Sequence, residues 1–272
     1  CNILIERVFD VWDMEDEEKL RWADEAKFLK AYYHFLLTRM YGPIPIVDKN
    51  KEISASIEDV HVYRDPLDSC FNYIIGLLDE VIADGGLPDV LDAEVSELGR
   101  ITNCIVKAFK AQVCIYAASP LFNGNTDYLG YKDEQGCEIF CPNKSEADKA
   151  ARWTAAVKAC EDAIQLLEKN HYGLYSYLLN EYSISDPTRY MLSHRCGFNL
   201  PDNFENIWVY TNEGANQSNY FPYRFTGGTA SGSSLGSGSL CGLLGGFEHK
   251  LAEEHDRCNC KYDDGYDCCE CF

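Results

Sequence analysis

The chain has 272 residues, 46% of them hydrophobic, enough to bury a core without disulfide or metal staples. Its 44 acidic against 24 basic residues give a formal charge of −20, a field that repels phosphate backbones and anionic lipid and disfavours nucleic acid as a partner. No run of about 18 or more apolar residues occurs, and no basic segment leads into an apolar stretch at the N-terminus, so neither a membrane span nor a signal peptide is expected in these residues.

From about Asp16 to Tyr41, Ala26, Leu29, Tyr33, Leu36, Leu37 and Met40 recur at three- and four-residue steps, which predicts an amphipathic helix. Gly42-Pro43 stops it, and Ile44-Pro45-Ile46-Val47 reads as an extended strap, because proline cannot continue the helical ladder. A second helix is expected from about Pro66 to Ala83, with Leu67, Cys70, Phe71, Ile74, Leu77, Leu78 and Val81 on one stripe and Gly85-Gly86 as its end. The third, about Arg100 to Ala118, carries Cys104, Ile105, Ala108, Ala111 and Ile115, and its small residues permit close packing. The fourth, about Ser145 to Lys169, carries Trp153, Ala156, Val157, Cys160, Ile164 and Leu167, which places Trp153 on a buried face.

Four helices in two consecutive pairs with alanine-rich contacts predict a mostly α fold of tetratricopeptide-like helical hairpins with an irregular, loop-rich lobe. After Tyr175 the periodicity fades, and Asn206 to Tyr210 is the best short strand. The expected organisation is a helical domain over 1–226 and, over 227–272, a Gly/Ser-rich linker with an acidic cysteine-rich tail that is poorly ordered.

The motifs that carry chemistry are weak. Gly232-Ser-Ser-Leu-Gly236 has the G-x-S-x-G spacing of a nucleophile elbow, but lacks the strand before and the helix after that the elbow requires. Fourteen cysteines are many for an intracellular chain. Cys104, Cys114 and Cys160 fall on helical stripes, where they act as small hydrophobes, while Cys258, Cys260, Cys268, Cys269 and Cys271 crowd the tail without the paired C-x-x-C spacing of a zinc site. Asn123 to Glu134 offers oxygen ligands at EF-hand-like intervals, yet Tyr128 stands where the loop needs glycine, so hydrogen-bonded turns account for it. No metal, no cofactor and no catalytic residue is therefore expected.

The segment Ala26-Lys-Phe-Leu-Lys-Ala-Tyr-Tyr-His-Phe-Leu-Leu-Thr-Arg-Met-Tyr-Gly-Pro-Ile-Pro-Ile-Val47 closely resembles the first conserved block of the SusD/RagB-like family, outer-membrane nutrient-binding lipoproteins of Bacteroidetes. Gly99-Arg-Ile-Thr with Tyr116-Ala-Ala-Ser-Pro-Leu-Phe-Asn-Gly-Asn125 resembles the second block, and Trp153-Thr-Ala-Ala with His171-Tyr-Gly-Leu-Tyr175 the third. The opening Cys-Asn-Ile-Leu-Ile-Glu is similar to a segment inside the family domain, which implies that the signal peptide, lipobox and first helices belong upstream of Cys1. The resemblance covers about Cys1 to Tyr210, and the sequence beyond it diverges.

What the resemblance implies is a non-catalytic receptor for a glycan or oligosaccharide, anchored at the cell outer membrane and partnered with a TonB-dependent, SusC-like transporter. The alternative of a different class is a helical-repeat scaffold that binds protein or peptide. Candidate ligand-binding residues are Asn216, Tyr220, Tyr223 and Arg224, because this stretch lies outside every periodic helix and combines tyrosine faces with amide and guanidinium donors.

Overall fold

The computed structural model describes residues 1–52, 54–91, 97, 99–177, 184–199 and 204–208, all within the compact unit Cys1–Tyr210. Helices α1 (Asn2–Arg7), α2 (Asp16–Tyr41), α3 (Ile57–Val60), α4 (Leu67–Asp84), α5 (Asn103–Ala118), α6 (Glu146–Lys169) and α7 (Asp186–Asn199) follow in that order. No strand occurs among the described residues, and none of their helices is long and apolar enough to cross a membrane.

Each main helix starts and stops where its sequence dictates. Asp16, Glu17 and Glu18 fill the first turn of α2, where carboxylates offset the positive end of the helix dipole. Gly42 ends α2 at φ +72°, and a Cβ there would lie 3.1 Å from the Phe140 ring, so glycine answers both the backbone and the space. Thr102 caps α5 by accepting the Ile105 N–H at 3.3 Å, and Ser145 caps α6 by accepting the Asp148 N–H at 3.1 Å. Gly85, in the left-handed region, closes α4 by donating its N–H to the Val81 carbonyl.

α2 packs on α4, α4 on α5, and α5 on α6, a serial stack of helix pairs. The main core lies among the first three, where the Phe28 and Phe35 rings of α2 meet Phe109 of α5 edge-on at 5.4 and 5.3 Å, and Phe71, Ile74 and Leu78 of α4 close the other side. Phe28, Phe35, Phe71, Ile74 and Leu78 are at most 1% exposed, and burial of each stabilises by about 1.5–3 kcal/mol. A second, smaller cluster joins α5 to α6 through Ala111, Cys114 and Ala118 on one side and Ala156, Ala159 and Ala163 on the other. Small side chains on both helices let the backbones approach closely.

The α4 stripe is buried at all seven expected positions, but the faces of α2, α6 and, at one position, α5 differ from expectation. On α2 the core is reached by Ala23, Ala26, Phe28, Ala31, Phe35 and Thr38, while Tyr33, Leu37 and Met40 are exposed. The aromatic pair at a seven-residue step, Phe28 and Phe35, sets the buried face, and the larger stripe lies on another side of the helix. On α6 the alanines face inward and Trp153, Val157 and Ile164 face outward, 47%, 55% and 52% exposed. The flat small-residue face of α5 selects alanine partners over bulky ones, so Trp153 is not a core residue. Ile115 of α5 is exposed for the same reason, since α6 contacts Ala111, Cys114 and Ala118 instead.

α7 occupies a region expected to be irregular. Ser185 opens it by accepting the Thr188 N–H at 3.4 Å, and Pro187 sits in the first turn, where its missing N–H costs nothing. Asn206 to Trp208, the described part of the expected strand, is irregular, with bends at Ile207 and Trp208. Trp208 folds back on α2, its ring edge-on to Phe28 at 5.5 Å and to Tyr32 at 5.4 Å.

Candidate functional site

The segment after α5 turns back onto the first turns of α6 and is held there by hydrogen bonds. The Ser119 carbonyl accepts the N–H groups of Phe122 and Asn123 at 3.0 and 2.9 Å, which closes the turn. Asn123 is 5% exposed and uses its whole amide: Nδ2 donates to the Ala118 and Lys149 carbonyls at 3.4 and 3.2 Å, and Oδ1 accepts from Lys144 Nζ at 3.4 Å. Gly124 follows at φ +74°, where a Cβ would lie 2.8 Å from Lys149 Cε. Lys144 also reaches Asp68 of α4 at 2.5 Å, and Arg152 of α6 meets the same carboxylate at 2.9 Å.

Between these walls lies an open groove of about 560 Å³, lined by Pro120, Asn125, Thr126, Glu146, Lys149 and Trp153 among others. Its volume is in the roughly 300–1,000 Å³ range of small-molecule sites. Trp153 presents its ring at the edge. Glu146 Oε1 accepts from Lys149 Nζ at 3.0 Å, so the two charges of the groove cancel. Asn125 Oδ1 accepts the Asp127 N–H at 3.0 Å and shapes the short turn that follows; this accounts for the EF-hand-like spacing as an ordinary polar turn.

A second groove, about 390 Å³, runs beside the strap after α2 and is lined by Pro45, Tyr63, Arg64, Asp65, Asp133 and Gln135 among others. Its carboxylates serve the backbone: Asp65 Oδ2 accepts the Ile46 N–H at 2.7 Å, and Asp133 Oδ1 accepts those of Gln135 and Cys137 at 3.0 and 2.7 Å. The groove therefore owes its shape to the groups that would otherwise bind.

His34 is buried under the same strap. Its Nε2 accepts the Val47 N–H at 3.3 Å, so the proton sits on Nδ1, which donates to the Lys30 carbonyl at 2.7 Å. Burial, aided by the nearby Lys30 ammonium, holds the imidazole below its ordinary pKa, and the ring is neutral. Lys30 and Tyr73 both donate to Asp48, at 3.2 and 2.9 Å, and the Tyr73 bond leads in holding that carboxylate below its ordinary value. These groups fasten the strap to α2 and α4.

Burial raises the thiols of Cys70 and Cys114, and that of Cys104 to about 11, so these cysteines are protonated and pack as small hydrophobes. Among the described residues no group of three or more His, Cys, Asp and Glu is arranged to hold a metal ion.

Asn216, Tyr220, Tyr223 and Arg224 lie outside the described residues, as do Gly232 to Gly236 and the cysteines from Cys258 to Cys271. Sequence periodicity missed the Trp153 groove because it assigned that ring to the core. The signal present was the alanine spacing of Ala156, Ala159 and Ala163, which competes with the bulky stripe for the buried face.

No family model matches the sequence, and no curated protein matches it. Among solved structures, BT4246 shares 27% identity at a TM-score of 0.65, covering 78% of this chain and 39% of that chain. Its selenomethionine form gives 26% and 0.60 over 78% and 38%. A SusD-like protein, BF3747 from Bacteroides fragilis NCTC 9343, matches at 22% identity and a TM-score of 0.45, over 64% of this chain and 25% of that one. The chain shares the fold of BT4246 over most of its length. The chain spans about two fifths of the length of BT4246.

Proposed function

We propose that this chain is the helical part of a SusD-like, non-catalytic, glycan-binding surface lipoprotein that serves nutrient uptake with a TonB-dependent, SusC-like transporter of the outer membrane. The reading is carried by one observation: the three sequence blocks occur in family order and fold as a serial stack of helix pairs that leaves open, polar grooves between its loops. Rigid helices carrying irregular loops suit a receptor, because binding groups concentrate on loops held by a scaffold. Asn216, Tyr220, Tyr223 and Arg224 belong to the proposal as further contacts, able to stack on a sugar face and bond its hydroxyls. No cofactor and no catalytic residue enters it.

The test is a glycan array with the purified chain, paired with recovery of a tagged chain from outer membranes. Retention of a glycan without its hydrolysis, and co-purification of a transporter, support the reading; hydrolysis by pure protein, or retention of no glycan, ends it. The exposed α2 stripe of Tyr33, Leu37 and Met40 favours a second reading, a scaffold for a protein or peptide. A peptide partner recovered in the absence of any bound glycan would decide for it.

A further inference from the structure

α6 turns its small residues inward and leaves an indole at the edge of the groove it shares with the α5–α6 loop. Trp153 is 47% exposed, although tryptophan is the side chain with the most apolar surface to hide. Its ring stands with Pro120, Asn125 and Thr126 around the same opening. Among the described residues, the Trp153 indole N–H, the Asn125 Nδ2 group and the Thr126 hydroxyl make no side-chain hydrogen bond within the protein, whereas the deeper Asn123 amide is fully used. The groove thus has a flat apolar wall and spare donors at its mouth, set in walls fixed by Asn123, Gly124 and the Ser145 cap.

Its charges decide the ligand further. Lys149, the cation lining this groove, is bonded to Glu146 at 3.0 Å, so no unpaired guanidinium or ammonium is offered to a carboxylate or sulfate. The chain as a whole carries −20, which adds repulsion for any polyanion. An ionised ligand would be unrewarded here; hydroxyls and an apolar sugar face would be matched.

We infer that the Trp153 groove is a binding subsite for an uncharged glycan, with a sugar ring stacked on the Trp153 indole and its hydroxyls bonded by Asn125, Thr126 and the indole N–H. This rests on the glycan-binding reading and adds to it a location and a ligand class. The donors are polar but neutral, so binding there is insensitive to salt, unlike capture of a polyanion by a basic patch.

The experiment compares the full chain with Trp153→Ala, Trp153→Phe and Thr126→Val on neutral polysaccharides (glucans, xylans, mannans) and acidic ones (polygalacturonate, alginate), with melting temperature measured for each. The expected result is retention of a neutral polysaccharide at low and high salt. Affinity falls about tenfold in Trp153→Ala, as for the loss of one stacked ring, is largely kept in Trp153→Phe, and falls less in Thr126→Val. Melting temperatures of Trp153→Phe and Thr126→Val stay close to that of the unaltered chain, and that of Trp153→Ala falls by only a few degrees, because Trp153 is half exposed and no core residue. Preference for an acidic polysaccharide overturns the ligand class. A neutral polysaccharide bound equally well by Trp153→Ala and Thr126→Val overturns the location while leaving glycan binding intact. No polysaccharide bound by the unaltered chain overturns both this inference and the reading beneath it.

Discussion

The Asn123 side-chain amide donates to the Lys149 carbonyl at 3.2 Å, tying the loop after α5 to the first turns of α6. The same NH₂ group reaches the Ala118 carbonyl near the end of α5, so one side chain bridges two helix ends. Asn123→Ala removes these bonds at a site that is 5% exposed, at about 0.5–1.5 kcal/mol each. A loss of about 1–3 kcal/mol in urea unfolding is expected. Asn123→Asp should cost more, since it sets a carboxylate against two carbonyl oxygens. Equal stability of all three proteins would show that the loop is not anchored this way.

The two faces of α6 should respond oppositely to volume. Ala159 is 7% exposed in the α5–α6 seam, and Ala159→Leu forces the helices apart at about 1–3 kcal/mol. Val157 is 55% exposed, and Val157→Ala should shift stability by no more than about 0.5 kcal/mol. Chemical denaturation of both variants checks the orientation. A costlier Val157→Ala than Ala159→Leu would mean that the bulky stripe faces the core after all.

His34 gives the fold a dependence on pH. Its folded pKa is depressed from 6.5, chiefly by burial, so below that value the unfolded chain binds a proton that the folded chain refuses. Stability from His34 is complete above about 6.5 and is lost as pH falls from there to the folded value. The charged groups around it are Lys30 and Asp48, with the Tyr73 hydroxyl on Asp48. Asp48, held below 3.8, contributes the same sign only at lower pH, whereas Asp24, raised by burial, has the opposite sign above 3.8. Subtracting the profile of His34→Gln isolates the imidazole: its urea midpoint should fall less than that of the unaltered chain between neutral pH and about 5.5. Parallel profiles would exclude His34 as the source.

The four main helices are legible because their boundaries are written in local chemistry: three carboxylates in the first turn of α2, Gly42-Pro43 after it, Pro66 and Gly85 around α4, Thr102 before α5 and Ser145 before α6. Which face of each helix is buried is legible only where a single apolar stripe exists, as on α4. α2 and α6 carry apolar residues on more than one side, and the choice between sides is made by the neighbour. Phe28 and Phe35 win on α2 because Phe109 faces them; Ala156, Ala159 and Ala163 win on α6 because α5 offers small residues. The groove is illegible for a related reason. Pro120, Asn125 and Trp153 meet only after the Asn123 bonds fold the loop back, a contact between distant residues that no periodicity encodes. Ser185 and Pro187 mark the start of α7, but it lacks a strong apolar stripe, so its stretch reads as irregular.

The helical domain is expected from the sequence over 1–226, and the compact unit that holds every described residue runs to Tyr210. A chain ending at Thr226 is therefore proposed to keep the helical circular-dichroism signal and cooperative unfolding of α2, α4, α5 and α6. Trp208 is the last described residue tied into that core: its ring lies edge-on to Phe28 and Tyr32, and its Nε1 donates to the Gly99 carbonyl at 3.3 Å. It is 40% exposed, so Trp208→Ala should cost less than the roughly 3–5 kcal/mol of a fully buried tryptophan, about 1–3 kcal/mol. The two changes make a paired test by thermal and urea unfolding. Truncation at Thr226 should leave the midpoint in place while Trp208→Ala lowers it, because the ring closes over Phe28 and the residues after Thr226 offer few periodic apolar side chains. Loss of cooperativity on truncation would move the domain boundary beyond Thr226, and an unchanged midpoint in Trp208→Ala would show that Phe28 needs no cover from that side.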